Sequence, residues 1–237
     1  MDNDPCTFYR PDGSSASICL NCLMYRELLA MAELGARLGL EGKADCYRAE
    51  AEALKGAIQT CCWDERDGMF YNVDSTSCRL TAPRSSIPAA RGIGPRDVWS
   101  CFLPMWAGLA TPEQAERMVA RYRDERIFFA PYGVRTLSKM EKMYAVLKSG
   151  NPSCWLGPIW GISNYMVFDG LARYGYTEDA KDLAEKTVRL FGKDIEACGE
   201  LHEYYDPETG LGVNNPGFQN WNLLSVNMFE WLRENNG

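Results

Sequence analysis

Apolar residues recur every three or four positions along most of this sequence, which is the spacing of amphipathic helices. The clearest run lies in 18–39, where the apolar positions are Leu20, Leu23, Met24, Leu28, Met31, Leu34 and Leu38. Further helices are predicted at 43–62, 97–109, 111–124, 159–174, 178–197 and 220–234. Strand patterns are short and confined to loops, so the sequence predicts an all-α protein.

The predicted helices are joined alternately by short turns and by long loops. Short turns such as LGLEGK, LATPEQ and YGYTED contrast with long aromatic loops rich in Gly and Pro. In 111–114, a Thr cap, a Pro and a Gln three residues after the cap predict a helix start, and Thr177 is predicted to cap another. This alternation indicates helical hairpins with a functional face built from the long loops. No linker or repeat interrupts it, so 1–237 is predicted to be a single domain.

The charge pattern excludes several classes of function. The net charge is −7 and no run is rich in Lys or Arg, which argues against binding to nucleic acid or to an anionic membrane. No stretch of about 18 apolar residues occurs, and the first residues lack the features of a signal peptide, so a cytoplasmic protein is predicted. The single histidine, His202, excludes a site built from several histidines.

Ten cysteines are present, and most of them lie within helical apolar patterns. Cys19 and Cys22 form a C-x-x-C motif that has no partner motif at zinc spacing. The cysteines, including Cys46, Cys61, Cys62 and Cys101, are therefore interpreted as small buried apolar residues in a reducing compartment.

Aromatic residues are abundant, and many lie at helix ends beside Gly, Pro, Asn or Asp. Seven Trp and twelve Tyr occur in the chain. They either fill a helical core or form a sugar pocket, in which flat rings stack on pyranose faces while Asp, Glu, Asn and Gln bind the hydroxyl groups. Their position in loops favours carbohydrate.

Hydrolysis of a glycosidic bond requires two carboxyl groups. The loop GELHEYYDPETG contains the strongest candidate, Glu203, between His202 and two tyrosines. Asp206 and Glu208 follow in a turn-forming Asp-Pro-Glu-Thr-Gly sequence and are more typical of solvated turn residues. Asp2, in MDNDP, would be unremarkable by itself.

Taken in order, these motifs resemble the catalytic domain of glycoside hydrolase family 63 and its relatives, the trehalases and mannosylglycerate hydrolases. The motifs are MDNDP, LNCLMYRELLAMAELGARLG, WDERDGMFYNVD, LPMWAGLATPEQA, PYGVRTLS, SCWLGPIWGISNYMVFDGLARYGY, HEYYDPETG and FQNWNLLSVNM. The resemblance implies an (α/α)6 barrel and an inverting hydrolase that acts on an α-glucoside or a related α-linked sugar.

The resemblance also implies roles for individual residues. Asp2 matches the general acid, and Glu203, in a Glu-Tyr-Tyr-Asp sequence, matches the general base. Inversion would place these two carboxyl groups about 6.5–9.5 Å apart. The predicted substrate-binding residues are Trp155, Gly157, Trp160, Asn164, Tyr205 and Trp221.

A complete barrel of this kind has twelve helices, whereas the sequence predicts about seven. The chain is therefore expected to be a C-terminal portion that lacks the first helices and exposes an apolar face. Another chain, self-association or a longer polypeptide would complete it. The alternatives to an active hydrolase are an inactive carbohydrate-binding or structural fragment that self-associates through its open helical edge, and a helical interaction protein.

No cofactor is required for this chemistry, and no metal ligand is predicted among the site residues. Calcium on the loop acids Asp64, Asp67 and Asp74 is the one cofactor considered, although these acids are more typical of turn caps. His202 is interpreted as a structural hydrogen-bonding residue. The predicted partner is an oligosaccharide or disaccharide substrate.

Overall fold

A computed structural model describes residues 15–75, 79–80, 97–147 and 154–235. In this part of the chain seven α-helices are joined by loops that contain short strands. The helices are α1 (Ile18–Arg37), α2 (Glu41–Cys61), α3 (Leu103–Ala107), α4 (Pro112–Tyr122), α5 (Gly161–Arg173), α6 (Thr177–Cys198) and α7 (Ser225–Asn235). Short 3-10 helices, Trp99–Phe102 and Asn220–Leu224, precede α3 and α7. The all-α prediction is confirmed.

The strands are two or three residues long and lie in the loops between helix pairs. They are β1 (Ser15–Ala16), β2 (Trp63–Asp64), β3 (Met69–Phe70), β4 (Val73–Asp74), β5 (Arg79–Leu80), β6 (Phe129–Ala130), β7 (Gly133–Val134), β8 (Ile159–Trp160), β9 (Tyr204–Tyr205) and β10 (Gly212–Asn214). All pairings are antiparallel: β1-β4-β5, β2-β3, β6-β7 and β8-β9-β10. The segment WDERDGMFYNVD contains the antiparallel pair β2-β3.

Helical hairpins are the repeating unit of the fold. The α1–α2 hairpin turns at Gly39, whose φ of 69° is favourable for glycine, and Gly35 allows α1 to approach Ala44 of α2. The α5–α6 hairpin turns at Gly175, whose φ is 79°. Gly170 of α5 lies against α3, where an added Cβ would lie 3.0 Å from the backbone nitrogen of Trp106.

Local helix-start signals predict the cap correctly at one helix and wrongly at another. At α4, Thr111 Oγ1 accepts a hydrogen bond from the Gln114 backbone N–H at 3.2 Å, and Gln114 Oε1 accepts one from the Thr111 N–H at 2.9 Å. This reciprocal pair is the predicted capping box. At α6, the cap is Tyr176 and Thr177 is the first helical residue, with no side-chain capping bond.

Most of the apolar stripe that identified α1 faces away from the core. Leu20, Leu34 and Leu38 are 58%, 48% and 63% exposed. The buried face carries Ile18, Cys19, Cys22, Tyr25, Ala32 and Gly35 instead. The helix was predicted correctly, and its exposed leucines agree with the expectation that one apolar face of this chain is open.

The described cysteines carry free thiols. Cys19, Cys22, Cys62 and Cys101 are buried, as predicted, whereas Cys46 is exposed on α2 and the prediction for it is wrong. None of the helices in the described residues is both long and apolar enough to cross a bilayer.

Candidate active site

Glu203 lies where the chain leaves α6 and enters the sheet β8-β9-β10. The helix ends at Gly199, which has a φ of 77°, and Leu201 returns the chain to the core. The Glu203 backbone N–H donates to the carbonyl of Asn214 at 2.9 Å, which joins the residue before β9 to the end of β10. The backbone of Glu203 is therefore fixed by the sheet, and the residue is only 8% exposed.

Two asparagines hold the Glu203 carboxylate by one oxygen. Oε2 accepts hydrogen bonds from Asn215 Nδ2 and, at 3.4 Å, from Asn214 Nδ2. No described donor reaches the other oxygen, Oε1. Asn215 has a φ of 43°, the only positive φ of a non-glycine residue in the described part of the chain. Asparagine is one of the few non-glycine residues that adopt left-handed backbone readily, and here it lets two consecutive side chains face one carboxylate.

An aromatic stack adjoins Glu203. The rings of Trp155 and Trp160 are parallel with centroids 4.0 Å apart, and Tyr204 stacks on Trp160 at 5.2 Å. Trp221 packs at 5.8 Å from Trp160 at a tilt of 44°. Trp160 is completely buried and its indole N–H donates to the carbonyl of Cys154 at 2.8 Å. The stack therefore joins β8 and β9 to the loop before α7.

Trp221 differs from the other predicted substrate-binding residues. It is half-buried, whereas the other five are buried. Its indole N–H is buried and has no acceptor among the described residues. A buried donor without a partner is costly in a folded protein, and Trp221 is the one predicted substrate-binding residue among the described residues that has such a group.

Gly157, Asn164 and Tyr205 lie behind the stack and bond to the protein. At Gly157 (φ 135°) an added Cβ would lie 2.4 Å from the ring of Tyr144, so only glycine fits. Asn164 Oδ1 accepts from the Val134 N–H and its Nδ2 donates to Thr187 Oγ1, both at 2.9 Å. The Tyr205 hydroxyl donates to Asp194 Oδ2 at 2.8 Å. Their roles as sugar contacts stay predictions.

Asp2 lies outside the described residues. Of the loop acids considered for calcium, Asp64 bonds within its own turn, where its Oδ1 accepts from the backbone N–H groups of Arg66 and Asp67 at 2.9 and 3.1 Å. These contacts are typical of a turn cap. Asp206 caps the turn after β9 in the same way, accepting from the N–H groups of Glu208 and Thr209.

The residues that hold the Glu203 loop from a distance were not predicted from the sequence. Asn214 and Asn215 lie 11 and 12 residues after Glu203, and the Asn-Asn-Pro sequence that contains them is itself a turn signal. Arg135 is 2% exposed and pairs with Glu208 at 2.6 Å across 73 residues. Lys139 also reaches Glu208, at 3.0 Å. No local signal pointed to that pair.

The Glu208–Arg135 pair predicts a pH-dependent contribution to stability. The hydrogen bond from Arg135, assisted by Lys139, lowers the pKa of Glu208 below its ordinary value of 4.5. A lowered carboxyl pKa stabilises the folded state above pH 4.5, and the effect disappears as the pH falls through the lowered value. We expect Glu208→Gln to lower the free energy of unfolding by about 1–2 kcal/mol at pH 7, a range reduced because the carboxylate is half-exposed. The difference between the variant and the wild type should vanish in acid.

Urea unfolding of wild type and Glu208→Gln between pH 7 and pH 3 checks this prediction. The matched control is Glu52→Gln, an exposed glutamate on α2 that is expected to change stability by less than about 0.5 kcal/mol. A difference between Glu208→Gln and wild type that stays constant with pH would contradict the assignment.

Known proteins with similar sequences are glycoside hydrolases. The profile of the mannosylglycerate hydrolase MGH1-like glycoside hydrolase domain matches residues 1–221. Mannosylglycerate hydrolase MGH1 of Selaginella moellendorffii is 27% identical over 217 residues, which cover 89% of this chain and 38% of that protein. Mannosylglycerate hydrolase of Rubrobacter radiotolerans is 29% identical over 204 residues, which cover 82% of this chain and 39% of that protein.

A similar fold occurs in a crystal structure of the family 63 mannosylglycerate hydrolase from Thermus thermophilus in complex with glucose. The TM-score is 0.67 at 20% identity, and the match covers 92% of this chain and 48% of that one. The chain thus spans less than half the length of these relatives. The structural match confirms the predicted fold class, helical hairpins of the (α/α)6-barrel type.

The family match covers most of the chain, and the fold agrees with it. The sequence resemblance to family 63 is confirmed. This chain belongs to the mannosylglycerate hydrolase MGH1-like family of glycoside hydrolase domains.

Proposed function

We propose that this chain carries the general base and part of the sugar-binding site of an inverting glycoside hydrolase that acts on an α-linked sugar. Glu203 is the base, Asp2 is the general acid, and no cofactor takes part. The observation that carries the proposal is the Glu203 carboxylate, which is buried and anchored by one oxygen only.

A general base must be fixed in space and still have a free acceptor. The two asparagine amides orient Glu203 through Oε2. Oε1, which none of the described donors reaches, is left to accept a proton from water. In a single displacement that water attacks the anomeric carbon from the face opposite to the leaving group, and the acid protonates the leaving oxygen.

The aromatic residues beside Glu203 support a sugar as the substrate. The half-buried ring of Trp221 offers an apolar face, and its unpartnered N–H offers a donor to a hydroxyl group. Trp155 and Trp160 stack in parallel behind Trp221 and support its ring. Gly157, Asn164 and Tyr205 then fix the loops that present the aromatic rings.

The role of Asp2 rests on the sequence resemblance alone. As an acid it would need a raised pKa to keep its proton near neutral pH. The predicted distance of about 6.5–9.5 Å from Glu203 leaves room for the attacking water. We also propose that this chain is soluble and acts in the cytoplasm.

Assays with mannosylglycerate, trehalose and p-nitrophenyl α-glucoside test the proposed function. Proton NMR of the first product distinguishes the mechanism, because inversion of an α-linkage releases the β-anomer. Hydrolysis with initial β-product supports the proposal. Initial α-product would refute inversion, and absence of hydrolysis of all three substrates would refute activity of this chain.

A second candidate function is favoured by the open face of α1. Leu20, Leu23, Met24, Leu34 and Leu38 expose a stripe of apolar surface, and Val226 and Phe229 of α7 are about half exposed. An inactive fragment that self-associates through this surface would bury these side chains in a second copy. Sedimentation equilibrium tests the idea: a dimer that dissociates in Leu20→Asp would support it, and a monomer would exclude it.

A further inference from the structure

The C-terminal end of α6 brings together three side chains that bind metal ions. Asp194 and Cys198 lie four residues apart, on the same face of the last helical turns. His202 follows after the chain has reversed at Gly199. One ligand atom from each residue lies within 4.8 Å of the other two, the only such group of three among the described residues.

The hydrogen bonds of Asp194 fix the arrangement. His202 Nδ1 donates to Asp194 Oδ2 at 2.9 Å, and the His202 backbone N–H donates to the same oxygen at 3.0 Å. The Tyr205 hydroxyl reaches it as well, at 2.8 Å. These three hydrogen bonds orient the carboxylate.

Both the ring and the backbone of His202 are held by neighbouring residues. A Cβ added to Gly212 would lie 2.2 Å from the ring, so the ring packs directly on the backbone of β10. The carbonyl of His202 accepts a hydrogen bond from Asn222 Nδ2 at 2.7 Å. Cys198 is exposed, so the group is open to solvent on that side.

The position on α6 also favours a cation. The last carbonyl groups of a 22-residue helix carry partial negative charge, and no basic residue lies in the last turn. The Asp194 carboxylate adds a full negative charge at the same end. A bound divalent ion would neutralise both.

We propose that Asp194, Cys198 and His202 form a binding site for a thiophilic divalent cation of the Zn²⁺ class. Cysteine sulfur and imidazole nitrogen select borderline-soft ions over calcium and magnesium. Three protein ligands leave the fourth tetrahedral position to water. On binding, the Cys198 thiol releases its proton to solvent, and the His202 proton moves from Nδ1 to Nε2, so that Nδ1 exchanges its hydrogen bond to Asp194 for a bond to the metal. The inference does not depend on the proposed hydrolase function.

Titration of the reduced 237-residue chain with Zn²⁺, followed by calorimetry, tests the site. One equivalent is expected to bind to the wild type. Cys198→Ala, which alters an exposed side chain, is expected to weaken binding by at least about tenfold. His202→Asn keeps an N–H donor for Asp194 but removes the imidazole ligand, and should weaken binding similarly. Cys46→Ala, at an exposed cysteine on α2, is the matched control and should bind as the wild type does.

Co²⁺ supplies an independent readout of the thiolate ligand. A thiolate-to-cobalt charge-transfer band is expected in the wild type and in Cys46→Ala, and should be absent in Cys198→Ala. Absence of saturable Zn²⁺ binding to the wild type would overturn the proposal. So would wild-type affinity in Cys198→Ala, or loss of binding in Cys46→Ala, since each result would place the cation elsewhere.

Discussion

Glu203→Gln is expected to lower kcat by about 10²–10⁴-fold on whichever substrate the wild type hydrolyses. The substitution removes the basic oxygen and keeps the shape of the side chain. The amide oxygen of Gln can still accept the hydrogen bonds that Asn214 and Asn215 donate to Glu203. KM should change little, because the base contacts the attacking water and contributes to the transition state more than to substrate binding. Steady-state kinetics on purified variants measure both constants.

The control for this experiment lies three residues earlier. Glu200 is an exposed glutamate in the same loop, and Glu200→Gln should keep most of the wild-type kcat. Circular dichroism and urea unfolding must report folded protein for both variants. A Glu203→Gln variant that is folded and turns over at the wild-type rate would remove Glu203 from the mechanism.

The helices could be predicted from sequence because their signals are local. The capping box at Thr111 and the apolar periodicity of α1 each depend on residues within a few turns of one another. The same periodicity did not show which face of α1 is buried. A stripe of leucines identifies an amphipathic helix, but whether another element covers the stripe depends on the tertiary arrangement. Leu38, 63% exposed, belongs to that stripe.

The site was predictable to the extent that its residues are neighbours in sequence. Glu203 was identified from the histidine and tyrosines beside it. The residues that position it come from elsewhere: the asparagines follow after a β-turn, and Arg135 reaches Glu208 from the β6-β7 region. Such contacts depend on strand pairing and loop closure, which leave no periodic pattern in a single sequence.

Trp160→Ala is expected to reduce the free energy of unfolding by about 3–5 kcal/mol, as for other large-to-small changes of buried aromatic residues. Trp160 is completely buried and contacts three other aromatic rings. The substitution also leaves the carbonyl of Cys154 without the indole donor. Urea unfolding monitored by circular dichroism measures the loss.

Trp106→Ala is the matched control, because the ring of Trp106 is half-buried and has the guanidinium of Arg26 at 4.5 Å from its centroid. We expect Trp106→Ala to reduce the free energy of unfolding by less than half as much as Trp160→Ala, since the surrounding water can fill much of the space that the ring leaves. If Trp160→Ala reduced the free energy of unfolding by only about 1 kcal/mol or less, the result would contradict the buried packing, because only the removal of an exposed ring has so small an effect. Trp160 would then be exposed enough to stack on a sugar itself, and it could no longer be assigned the role of supporting the ring of Trp221.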